Sequence, residues 1–84
     1  MTATPLTPRM ESTLRRASEI ATARGHRYLG TEHMLLAMLD DPDGIAGAVL
    51  HRLYAVDKAR AELERILASS GYKKTSSKRL GDQP

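Results

Sequence analysis

Apolar residues along this chain fall into four blocks, and the second sets the terms for the others. Residues 34–39 are Met34, Leu35, Leu36, Ala37, Met38 and Leu39, six apolar side chains in a row. On a helix such a run covers every side rather than one stripe, so this segment is predicted to be buried around most of its circumference. The other helices must supply its walls. Just ahead of it, Gly30 permits an unusual turn, Thr31 can accept from free N–H groups two or three residues on, and Glu32 places negative charge at the positive end of a helix running from Glu32 to about Asp40.

The first block has Met10, Leu14, Ala17 and Ala21 at helical spacing with Ile20 beside them. Thr7 followed by Pro8 is an N-cap with proline at the first helical position, and Gly25 is placed to end the helix in a left-handed turn. The run Asp40-Asp41-Pro42-Asp43-Gly44 is turn chemistry. A third helix follows, with Ile45, Ala46, Val49, Leu50 and Leu53 on one side and Gly47 weakening it slightly. Beyond the corner at Tyr54 and Ala55, Asp57 can cap a fourth helix whose Val56, Ala59, Leu63, Ile66 and Leu67 share a face, ending near Ser70. The expectation is an all-α fold, a compact bundle of about four helices over residues 7–70, with an extended arm at 1–6 and a disordered basic tail at 71–84.

The chain has 84 residues, enough for one domain with a thin margin of stability. With no cysteine there are no disulfides or thiolate zinc sites, so the fold must hold by helix packing or association. No apolar run approaches the ~20 residues of a membrane span, and the first residues lack the order of a signal peptide, so a cytoplasmic protein is expected. The net charge of +3 invites a nucleic-acid reading, but through Ser70 nine Lys and Arg balance nine Asp and Glu. The surplus sits on Lys73, Lys74, Lys78 and Arg79, opposed only by Asp82. A nucleic-acid module shows a basic face on its folded part, with aromatics to stack on, and the only aromatics here are three tyrosines.

Candidate chemistry is sparse. Lys74-Thr75 resembles the closing pair of a phosphate-binding loop, but the glycines such a loop needs are missing at Ala68 and Lys73, and no strand precedes it. His26, His33 and His51 stand at no metal-ligand spacing, so neither a metal nor another cofactor is expected. His26 is expected to fix its turn by hydrogen bonding, His33 to pack in the first turn of the second helix, and His51 to lie on an outer face. Ser18 and Thr22 lie one turn apart with no signal for a base beside them. The expectation is a non-enzyme.

Thr7-Pro8-Arg9, Arg24-Gly25-His26, Tyr28-Leu29-Gly30-Thr31-Glu32-His33 with Leu35-Leu36, and Asp41-Pro42-Asp43-Gly44-Ile45-Ala46 occur in order at spacings that resemble one repeat of the amino-terminal domain of Clp-type ATP-driven protein unfoldases. The likeness runs from about Thr7 to Leu67. In that family two such repeats normally precede ATPase modules, whereas this chain carries one repeat. It also has Tyr54-Ala55 where family members usually carry a glycine, which implies a differently shaped corner.

The resemblance implies a stand-alone, adaptor-like recognition module of the protein-degradation machinery, whose partners are Clp-type unfoldase or protease components or their substrates. It further implies that Glu32, beyond complementing the helix dipole, holds the guanidinium of phosphoarginine on tagged proteins. Thr31 and Thr7, at two helix starts, are the companions expected near the phosphate. A repeat evolved to lie against a sister leaves an apolar face open, so a twofold homodimer is expected. Two rivals remain: a decoy mimicking the unfoldase domain, and a nucleic-acid accessory acting through the basic tail.

Overall fold

A computed structural model describes residues 4–72. Among the described residues four α-helices follow one another, α1 (Pro8–Ala23), α2 (Thr31–Leu39), α3 (Ile45–Arg52) and α4 (Val56–Leu67), and residues 70–72 are helical again. The fold is all-α, as the hydrophobic pattern predicts. The expected division at residue 70 is untested for residues 73–84, which lie outside the described residues. The arm is exposed and without regular structure over residues 4–6.

The apolar run is indeed the centre. Leu36, Ala37 and Leu39 are buried, Met34, Leu35 and Met38 partly so, and α2 packs against each of the other three helices. Ala17 and Ile20 from α1, Leu67 from α4 and Tyr72 beyond it complete the buried cluster. Small Ala17, with no accessible surface, lets α1 lie close to α2.

α1 begins as expected, with Thr7 accepting from the Met10 N–H at 3.0 Å and Pro8 opening the helix. It ends with Gly25 at φ 70°, where the His26 and Gly25 N–H groups return to the Ala21 and Thr22 carbonyls. That is the double bond pattern of a left-handed helix stop. The start of α2 differs from expectation. Gly30, in extended conformation, is the cap residue and Thr31 the first helical residue, so Thr31 is not the side chain that satisfies the helix start. His33 does half of that work instead, as its Nδ1 accepts from the Gly30 N–H at 2.9 Å. Asp57 likewise lies within the first turn of α4, after an Ala55 cap, and makes no side-chain cap bond.

α3 is turned differently from what its spacing suggests. Only Gly47 is fully buried and Leu50 leans on the core, whereas Ile45 (86% exposed), Val49 (49%) and Leu53 (67%) face solvent. The cause is Gly47. A Cβ there would lie 2.0 Å from the Asp41 carbonyl oxygen and 2.6 Å from that of Met38, so the bare backbone of α3 rests on the end of α2. With position 47 inward, positions 45, 49 and 52 point away from the body at 100° per residue. At the following corner Tyr54 takes φ 54°, left-handed backbone that costs a non-glycine residue about 1 kcal/mol, and its side chain is 91% exposed.

Candidate functional site

Glu32 sits in the first turn of α2, half-buried, with its carboxylate folded back over Gly30. Tyr72, which the sequence assigns to the tail, is instead 9% exposed and donates its hydroxyl to Glu32 Oε2 at 2.6 Å. The chain gets there through a turn at Ala68 and Ser69 that leads into helical residues 70–72. Ser69 donates to the Ile66 carbonyl at 2.6 Å, and its oxygen then accepts from the Tyr72 N–H at 3.1 Å.

Under Tyr72 lies a histidine pair. His33 has no accessible surface, its Nε2 is 2.8 Å from His26 Nδ1, and the His26 ring packs on Tyr72 at 5.1 Å. The direction of these bonds follows from Gly30. A backbone N–H can only donate, so His33 Nδ1 accepts; the neutral ring then carries its proton on Nε2 and donates it to His26. Burial holds the His33 pKa below the ordinary histidine value, with a lesser push from His26 and Arg24, against the opposing pull of Glu32. Burial also pushes the Glu32 carboxyl up, but the bonds from Tyr72 and its own N–H, helped by His33 and His26, outweigh it and hold the group below the usual carboxylate range. Glu32 is therefore ionised at neutral pH. The Tyr72 hydroxyl is pushed well above an ordinary phenol by burial and by donating to that carboxylate. Beside the cluster, Arg24 at the end of α1 makes a two-pronged pair with Glu64 of α4 at 2.6 and 2.7 Å.

Thr31 is exposed and adjacent to Glu32 on the same turn. Thr7 is elsewhere. α1 and α2 run in opposite directions, since Arg9 pairs with Asp41 beyond the end of α2 at 2.6 Å while His26 meets His33 near its start. Thr7 and Glu32 are thus separated by about the length of α2, roughly 13 Å at 1.5 Å per residue. Within one copy they do not share a site. Thr7 instead borders a mostly apolar groove of about 420 Å³ between the starts of α1 and α3, with Met10, Met38 and Ile45 among its lining. The histidines behave as their sequence positions suggest: His26 bonds in its turn, His33 packs in the first turn of α2, and His51 is exposed. Sequence reasoning missed Tyr72. The available signal was a single aromatic five residues past Leu67, the last apolar helical position, too little to set against a polar tail.

Among the described residues, no group of three or more His, Cys, Asp or Glu is placed to hold a metal ion, and no helix is long and apolar enough to cross a membrane.

A small all-α domain with a Gly-Thr-Glu-His helix start and a Gly47-seated third helix defines a helical repeat module. Residues 5–81 match the Clp repeat (R) N-terminal domain, and the chain belongs to that family. It is 40% identical over 68 residues, 79% of this chain and 8% of the relative, to the ATP-dependent Clp protease ATP-binding subunit ClpA homolog of Guillardia theta. It is 33% identical over 78 residues, 92% of this chain and 10% of the relative, to the chaperone protein ClpB of Oceanobacillus iheyensis. It is 35% identical over 65 residues, 76% of this chain and 8% of the relative, to the negative regulator of genetic competence ClpC/MecB of Bacillus subtilis. The chain thus spans 10% or less of the length of these curated relatives. No solved structure gives a significant match.

Proposed function

We propose that this chain is a non-enzymatic, cytoplasmic recognition module that binds Clp-type unfoldase or protease components or the proteins destined for them, with Glu32 as its ligand contact. The observation that supports this is the state of Glu32. A half-buried carboxylate held ionised at a helix start, with a hydroxyl donor already on one oxygen, suits a ligand that brings N–H donors. A guanidinium displacing Tyr72 would form a two-pronged bond there, and Thr31 with the first-turn N–H groups would face a phosphoryl group attached to it. Phosphoarginine combines both parts. Thr7 contributes to this ligand only if a second molecule brings its own helix start alongside.

Calorimetric titration of free phosphoarginine, with arginine and phosphoserine as controls, tests the reading. Wild type binds phosphoarginine in preference to both, and Glu32→Gln binds at least about tenfold more weakly while losing no more than about 1 kcal/mol of stability. No heat with wild type, or equal affinity in both proteins, leaves Glu32 with only its part in the helix start and the Tyr72 contact.

A further inference from the structure

The outer face of α3 joins three observations that the Glu32 site does not use. First, Ile45, Val49 and Leu53 recur one helical turn apart along α3, with Tyr54 at the corner just beyond, and they are exposed at 86, 49, 67 and 91%. At common side-chain areas this is roughly 600 Å² of apolar surface, the upper end of what a monomer leaves open and most of the ~800 Å² per partner of a standard interface. Second, Tyr54 holds a left-handed backbone that glycine would adopt freely, and it is 91% exposed. Third, the stripe has unlike ends. The mostly apolar groove of about 420 Å³ opens beside Ile45, with exposed Asp43 on its rim, and the other end carries Leu53, Tyr54 and exposed Arg52.

We propose that α3 is a self-association face on which two copies of this chain pair antiparallel about a twofold axis near Val49. This inference is independent of what Glu32 binds. A twofold contact places the same patch on both partners, so the two ends of one stripe meet the opposite ends of the other. Leu53 and Tyr54 of each copy then reach the groove beside Ile45 of its partner, which has room for an aromatic ring. Arg52 of each copy, on the outward side set by Gly47, faces exposed Asp43 in the turn before α3 of the other. A parallel arrangement would set ring against ring and leave both grooves empty.

Sedimentation equilibrium of the full 84-residue chain provides the test. Wild type is expected to dimerise in the micromolar range. Tyr54→Asn, chosen because asparagine tolerates left-handed backbone, weakens the dimer at least tenfold while circular dichroism shows an intact fold. Asp43→Arg and Arg52→Asp each weaken it several-fold alone, and an equimolar mixture of the two variants associates more tightly than either one, because every charged pair in the mixed dimer is again of opposite sign. A wild-type monomer at ~100 µM overturns the proposal. So does a Tyr54→Asn protein that dimerises as tightly as wild type, or a mixture no tighter than its components.

Discussion

At the start of α2 every buried polar side chain has a partner: Glu32 with Tyr72, His33 with Gly30 on one side and His26 on the other. On the outer face of α3 large apolar side chains are exposed to solvent, Ile45 most of all. The two regions are built from similar material, a short helix following a glycine, and they differ in which face is turned inward. α2 is apolar all round and is enclosed. α3 turns Gly47 inward with Leu50 beside it, and leaves Ile45 and Val49 facing out. The comparison teaches that in this small domain most of the core is drawn from α1, α2 and α4, while α3 adds Leu50 to it and leaves Ile45 and Val49 exposed.

The sharpest way to break that contrast is to truncate one leucine or isoleucine in each region. Leu36→Ala, at a site 2% exposed, should cost about 3–5 kcal/mol, enough to leave a domain of this size partly unfolded at room temperature. Ile45→Ala should cost less than about 0.5 kcal/mol in the monomer. Urea unfolding at low micromolar concentration reads both, and comparable losses would mean that α3 is as much part of the core as α2.

A smaller effect is expected from shortening the chain. Ending it at Ser70 removes Tyr72, with its buried ring and its bond to a carboxylate, and should lower the thermal midpoint by about 4–8 °C, or 1 kcal/mol or more. A chain ending at Tyr72 retains that contact. If the two truncations melted together, the Tyr72 contact would not contribute to stability.

The gentlest perturbation is pH. The folded pKa of His33 lies below its unfolded value of about 6.5, so the unfolded chain binds a proton that the folded one resists. Stability should therefore be level above about pH 7 and decline as pH falls through the unfolded histidine range. Glu32, also held below its unfolded value, adds a second loss at pH under about 4.5. Thermal midpoints between pH 7.5 and 4 would trace both limbs. A flat profile from 7 to 5.5 would mean that His33 accepts its proton within the fold.

Much of the architecture was legible in the sequence because it rests on local signals. The continuous apolar run identified the central helix, Thr7-Pro8 marked the start of α1, and Gly25 marked its end. What escaped depends on contacts between elements. Periodicity groups Ile45, Val49 and Leu53 but cannot say whether a neighbour covers them, and it scores Gly47 as a weak helix former when its value is close approach. Composition predicted a tail from residue 71, since one tyrosine cannot outweigh polar neighbours in a window average. The role of Glu32 at a helix start was readable, but its partner, 40 residues away in sequence, was not.

The seat of Gly47 on the carbonyls of Met38 and Asp41 also acts as an angular index for the molecule. Of the eight residues in α3, position 47 is the one whose missing side chain lets the helix dock, and docking there fixes the rotational phase of all the others. The surface this domain presents is therefore specified from behind. Residues on the outer face of α3 can vary in chemistry without moving, since their direction is set by an atom that is not there.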